Sequence, residues 1–561
     1  MNYSLLSTGF LMRALSIPKL FLCCILAVFI SSCYSPVEDD VRNIFRYNES
    51  LGIISLDPSQ ARDKTMIWPA LQLFNGLVQM NDQLEVIPAI AHSWEIAGNG
   101  TVYTFFLRRD VFFHDHRIFP GNKGRVVTAF DVEYSFSRIL DPRIASPGRW
   151  VFNMLDTRME NRHGFQAVND SVFRIWLTEP FPPFLGILTM PYCSVLPLEL
   201  LDHTEVDISV EPVGTGPFYF KQWRRDEKLV LLKNPYYFEF DSAGNRLPYL
   251  DGISISFIRD KQSEFMEFLL GNIDFLSGLH AVYKDELTTR NGNLNPKYKD
   301  RFILDTQPYL NTEYLGFLSD PASPELSVSP VNDINFRKAV NFGFDRSKML
   351  KYLRNNMGTP ANYGFLPAGL PFHNQREVKG YDYNPDSARY YLTKAGYPPG
   401  TLIPEVSLTT TSDYLDLCEF IQYELSRFGI RINLEVATGG AYRNKMANGH
   451  LLFFRGSWIA DYPDPENYLS LFYSPNRSPA GPNYTRFGNE SYDSLYQKSL
   501  QASDPMIRAE LNTRMDQFIT ENAVVVPLFY DEVVRFYPIF IKGLHSNPLN
   551  MLVIKHVEKT R

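Results

Sequence analysis

The chain has 561 residues, 45% hydrophobic and 21% charged, an ordinary globular composition that is too long for one core, so two or three lobes are expected. A formal charge of −7 argues against nucleic acid as a partner. The 42 Phe, 32 Tyr and 6 Trp suit large cores and ligand clefts, because aromatic rings bury much area at little entropy cost.

The chain opens with a processing segment. Residues 1–19 carry Arg13 and Lys19 and no acid, and residues 20–30, "LFLCCILAVFI", form an apolar run too short to span a bilayer comfortably. "ISSC" then ends at Cys33 and resembles a bacterial lipobox, in which the cysteine is lipidated and becomes the first mature residue. Loss of residues 1–32 takes the net charge to about −9. No later stretch reaches about 18 apolar residues, so no other membrane span is expected. Cys193 and Cys418 remain in the mature chain, and neither stands in a spacing that suggests a zinc site.

In chain order, 102–115 reads as strands around a charged turn, and "AFDVEYSFSRIL", 129–140, as a short helix capped by Thr128 or Asp131 and stopped at Asp141-Pro142. "DGISISFIRD", 251–260, alternates with period two and predicts a half-buried strand. A helix is expected over 384–398, with Asn384 as cap and Pro385 in its first turn. The best-defined unit is 404–437. There a strand is followed by a helix with Leu417, Ile421, Leu425 and Phe428 on one face, then by a second strand, which predicts a parallel α/β layer. Ligands bind beyond the carboxyl ends of such strands, near the loop Thr410–Asp413 here. A helix over 506–523 is expected to bury Ile507, Leu511, Met515 and Phe518, and two strands, "VVVPLFY" and "VVRFYPIFI", follow it.

Several chemistries find no motif: there is no GxSxG elbow, HExxH helix or GxxxxGK[ST] loop. "GTGPFY", 214–219, has Tyr219 where a dinucleotide fingerprint needs glycine, and reads as a tight backbone crossing. "HDH", 114–116, reads as a solvated turn rather than a metal site. The segment 451–475, "LLFFRGSWIADYPDPENYLSLFYSP", stands out, since Arg455 and Asp461 lie in a run that otherwise looks buried, and buried charges need partners.

Taken in order, 73–115, 127–142, "PVGTGPFYFKQW" at 212–223, "LPYLDGISISFI", "INFRKAVNFGFDRSKML" at 334–350, "YDYNPDSARYYLTKAGYP" at 381–398 and the 451–475 segment resemble one family. It is the oligopeptide- and dipeptide-binding family (family 5) of extracytoplasmic solute-binding proteins that serve ABC importers. The resemblance implies an α/β, two-sided flytrap of the periplasmic binding protein-like class II, with mixed sheets flanked by helices and an extra small lobe. Lobe I would combine 33–78, 206–300 and 531–561, the small lobe would take 79–205, and lobe II 301–530. It further implies a non-enzymatic protein without cofactor, a monomer tethered through Cys33, that hands peptides to a membrane permease and its ATPase.

Carried over by position, the resemblance makes Asp461, after Trp458-Ile459-Ala460, the partner of a ligand ammonium, with Arg455 helping to hold a ligand carboxylate. Trp458 would form a flat wall, and Tyr462 and Tyr314 would be cleft aromatics. Asp464 and Asn467 read as turn or cap residues. The arginine expected near 408–413 of dipeptide binders is absent from "LTTTSD". Longer peptides, or non-peptide solutes such as oligosaccharides, chelates or haem, therefore stay open, as does a sensory or scaffold role without transport.

Overall fold

The strand–helix–strand expected over 404–437 forms as Val406–Thr410, Leu415–Ser426 and Ile432–Val436, and the two strands pair in parallel. The helix buries Leu417, Ile421 and Leu425, whose three- and four-residue spacing keeps them on one side, together with Cys418. The computed structural model describes residues 43–158, 163–502 and 504–560. The expected leader over 1–32 and Cys33 lie outside these residues. Among the described residues no helix is long and apolar enough to cross a membrane, and both Cys193 and Cys418 are free, buried thiols.

Three larger sheets organise the chain. The first, four-stranded, orders Ile44–Asn48, Gly252–Ser256, Lys228–Lys233 and Phe218–Arg224, with the first pair parallel. The second, also four-stranded and antiparallel, is built from Ala91–Ala97, Val102–Leu107, Val172–Trp176 and Phe165–Asn169. The helix Ala129–Leu140 packs beside it, and the two alternative caps read from the sequence, Thr128 and Asp131, act together as a capping box. The expected second strand within 102–115 does not form; Phe112 makes only an isolated bridge to Val126.

The third sheet is seven-stranded and mixed. At its centre Phe302–Phe317 lies between Val525–Pro538 and Phe453–Ile459, antiparallel to both. The two strands expected at the C-terminal end are thus one continuous strand of 14 residues through Pro527. Pro527 has no N–H to give the ladder. It is accommodated because the register shifts between Glu313/Tyr314, so that Leu528 bulges out of the pairing.

The glycines of "GTGPFY" make the tight crossing expected of them. A Cβ on Gly214 would collide with the Leu73 carbonyl oxygen, and one on Gly216 with the carbonyl of Gln72. The crossing presses this loop onto the end of the helix Lys64–Leu73 and is fastened by Gly216 N–H to Leu73 O at 2.9 Å. Gly216→Ala is expected to cost about 1–3 kcal/mol through overpacking, read as a lowered urea midpoint with an unchanged slope. His114 belongs to the same knot. It is buried rather than solvated, and its Nε2–H donates to Gly216 O at 2.9 Å. Its Nδ1 has no partner in the described protein, and burial pushes its pKa down to about 4. His116 instead faces Glu211, 2.9 Å from Oε1.

The two ends of the described chain are interlocked. Trp68 Nε1–H donates to Asn550 O at 2.9 Å and Gln72 Nε2–H to Leu552 O at 2.7 Å. Lys559 reaches Asp274 at 2.7 Å, the same carboxylate that pairs with Arg46 of the strand Ile44–Asn48 at 3.1 Å.

Candidate functional site

The segment that stood out in the sequence becomes the strand Phe453–Ile459, followed by a tight turn into the short helix Glu466–Leu469. Along the strand Trp458 faces Thr312, Ser457 faces Glu313 and Arg455 faces Leu315. Gly456 lies opposite Tyr314, whose ring lies where any Cβ on Gly456 would stand.

Arg455 finds its partner within this sheet. Its guanidinium pairs with Glu313 and lies on the Tyr414 ring, and its carbonyl accepts the Tyr442 hydroxyl. Burial opposes the charge, but Glu313 and Tyr414 outweigh it and hold the Arg455 pKa above its ordinary value. Glu313 also accepts from Ser457 Oγ at 2.9 Å and from Asn311 Nδ2 at 3.2 Å, and Asn311 in turn reaches Asp531. The structure therefore explains the buried arginine without a ligand. Tyr314 is likewise packed away: it is 4% exposed and meets Phe365 edge-on. Neither Arg455 nor Tyr314 is among the residues lining the cavities described next.

Asp461 is placed differently. It leaves the sheet just after the strand and borders two cavities at once. The smaller, about 240 Å³, is lined by residues that include Met80, Met190, Tyr237 and Met551. The larger, about 730 Å³, has Trp150, Phe181, Trp458, Tyr462 and Glu466 in its walls and is within the size range of ligand sites. Asp461 is exposed to this open cavity space, while the protein packed around the cleft still withholds part of the solvent from its carboxylate. That surrounding protein pushes its pKa up from 3.8 to about 6, against a hydrogen bond from the Asn467 side chain that favours the charged form. Among the described residues no cation lies within ion-pair distance of it.

The turn that carries Asp461 is held from below. Asn467 Oδ1 accepts both the Trp458 indole N–H, at 2.9 Å, and the Asp461 backbone N–H, at 3.3 Å. Asn467 thus fixes the aromatic wall and the carboxylate together, a larger part than the cap role read from the sequence. Asp464 does cap, accepting Glu466 N–H at 2.9 Å, and it also forms a buried two-point ion pair with Arg508 at 2.6 and 2.8 Å. Tyr462 is buried and donates to Glu466, as Tyr496 does. Glu466 and Trp150 escaped the sequence reading. Glu466 lies five residues beyond Asp461 and could have been suspected, but nothing near Trp150 in the sequence points to 451–475. A third, wider cleft of about 1310 Å³ lies at Tyr414, with Lys64, Lys261, Lys284 and Asp416 also lining it. Among the described residues no group of three or more His, Cys, Asp or Glu is placed to hold a metal ion.

A mixed α/β frame whose cavities share one carboxylate, without an ion-pair partner among the described residues, has the form of a periplasmic binding protein, and solved proteins of that fold superpose on nearly the whole chain. The family model described as bacterial extracellular solute-binding proteins, family 5, middle, matches residues 85–480, and the chain belongs to this family. It is 26% identical over 536 residues to heme-binding protein A of Haemophilus influenzae, covering 92% of each chain. It is also 26% identical to di/tripeptide-binding protein 2 of Pseudomonas aeruginosa, covering 83% of this chain and 85% of that one. Among solved structures, the ABC transporter-associated periplasmic binding protein DppA of Helicobacter pylori, in complex with the peptide STSA, superposes with a TM-score of 0.75 at 25% identity. That match covers 94% of this chain and 100% of the other.

Proposed function

We propose that this chain is the lipid-anchored, solute-binding component of an ABC importer, and that it captures peptides by their N-terminal ammonium on Asp461. The observation that carries the reading is the Asp461 carboxylate, open to two cavities and without an ion-pair partner among the described residues. A carboxylate partly desolvated by the protein around it is stabilised when a cation joins it, and an ammonium does so through charge-assisted hydrogen bonds. Trp458 forms the wall beside the ammonium, and Tyr462 stands behind it. Capture involves no covalent chemistry. Lobes I and II and the small lobe, with the boundaries expected from the sequence, close on the ligand in proportion to its preference for the closed form. The closed monomer, tethered through Cys33, then presents both lobes to a permease driven by ATPase subunits.

Length selection follows from the other end of the site. Leu408–Asp413 offers no arginine to a short ligand's carboxylate, and Arg455 is already paired with Glu313. Peptides longer than two residues are therefore favoured.

Native mass spectrometry of the protein purified without denaturation tests the proposal. Co-purified masses matching mixed peptides, lost in Asp461→Asn, are the expected result. A single non-peptide mass retained by the variant would overturn the peptide assignment and leave a binder of another solute, such as haem, on the same fold.

A further inference from the structure

The larger cavity beside Asp461 has a lining of one charge sign. Its titratable acids are Glu179, Asp461 and Glu466, and no Lys, Arg or His is among its lining residues. Its remaining walls are rich in aromatic rings: Trp150 and Tyr462 lie 6.3 Å apart, and Tyr473 stacks on Tyr496 at 4.3 Å. The deepest acid, Glu466, is only 6% exposed. Each of its oxygens accepts one tyrosine hydroxyl, from Tyr462 and from Tyr496, which leaves each oxygen a further lone pair. Burial raises its pKa, although the two tyrosine hydroxyls favour the charged form. Arg508 offers some relief at a distance, but its guanidinium fork is committed to Asp464. Glu179, in contrast, is exposed at the rim.

These walls match one ligand chemistry. A cationic head entering this cavity would meet carboxyl groups and aromatic rings, which attract cations through their quadrupoles. An apolar stem several carbons long would lie along Trp150, Phe181 and Trp458, as the stems of lysine and arginine lie on apolar surfaces. An acidic side chain would meet carboxyl groups and no cationic group among the lining residues. We infer that the cavity of about 730 Å³ is a specificity pocket for a basic side chain on the ligand's first residue, next to the ammonium held by Asp461. The inference rests on the peptide reading above and narrows it to peptides that begin with lysine or arginine.

Isothermal titration with matched tripeptides tests it: Lys-Ala-Ala, norleucine-Ala-Ala, Glu-Ala-Ala and N-acetyl-Lys-Ala-Ala. Norleucine keeps the stem of lysine and removes its charge. Lys-Ala-Ala should bind at least about tenfold tighter than the norleucine peptide, with Glu-Ala-Ala weakest. This advantage should shrink in Glu179→Gln, a rim change that leaves the core intact, and vanish in Glu466→Gln. Equal or tighter binding of norleucine-Ala-Ala by the unaltered protein overturns the basic-pocket inference alone. If none of the three free-ammonium peptides binds, or if N-acetylation changes nothing, the ammonium reading falls and this inference falls with it.

Discussion

Asp461→Asn should weaken binding of a free-ammonium peptide by about 2–5 kcal/mol, roughly thirtyfold or more, because it leaves a buried ligand cation without its counter-charge. N-acetylating the ligand should cost a similar amount, and the two changes together should cost little more than either alone, since both delete the same pair. The pH dependence has a definite sign. Ligand binding needs the ionised carboxylate, and the ligand-free Asp461 titrates at about 6. Affinity should be level between that value and the ordinary pKa of a peptide α-amino group, about 8, and fall on both sides. The stability of the ligand-free protein runs the other way. A carboxyl whose folded pKa lies above its unfolded value favours folding in its protonated form. Its contribution is fully present below the unfolded value, 3.8, and is lost as pH rises through about 6. At pH 7.5 Asp461→Asn should therefore unfold at a higher temperature than the unaltered ligand-free protein, and the difference should close below pH 4. Calorimetry across pH, with binding measured on the same preparations, checks both halves. A variant that loses stability at pH 7.5 would mean that Asp461 already has a partner within the chain.

The second large effect is expected at Arg455. Arg455→Met leaves Glu313, itself 2% exposed, charged and buried without its ion-pair partner. Removing one member of such a pair typically costs about 3–5 kcal/mol. The double variant Arg455→Met with Glu313→Gln should recover most of that loss, because Ser457 and Asn311 remain beside the amide. Urea unfolding of the ligand-free forms measures it. If the single variant is as stable as the unaltered protein but binds peptide poorly, the guanidinium acts on the ligand, as the family resemblance implies.

What the sequence made legible is what is local. The cap expected at Thr128 or Asp131, the Asn384 cap and the stripe Leu417, Ile421 and Leu425 depend on residues three or four apart, and each forms, whereas Phe428, expected on the same stripe, lies beyond the helix end at Ser426 and is half-buried. The crossing at 214–216 was readable because two glycines within three residues signal close backbone approach. The helix Pro505–Glu521 shows where such reading stops. Its expected apolar face would bury Ile507, which is 54% exposed, while Arg508, Asn512 and Asp516 are buried instead. These polar residues point inward because their partners arrive from distant segments: Asp464 for Arg508, Phe372 O for Asn512, and Phe365 N–H with His373 for Asp516. Hydrophobic periodicity carries no record of such partners. The site divides in the same way. Asp461 and Trp458 were visible as a motif, whereas Glu313, which pairs with Arg455, lies 142 residues away along the chain.

The interlocked chain ends set a timetable for folding. The carbonyl that receives the Trp68 indole belongs to a residue made 482 positions later, and the one that receives the Gln72 amide is 480 positions away. The helix Lys64–Leu73 therefore cannot finish its packing until the C-terminal segment has been brought to it. Until then Trp68 and Gln72 have no native cover from that side. A chain shortened before Asn550 would leave them without those partners permanently, so the C-terminal segment is what completes the cover of the helix Lys64–Leu73.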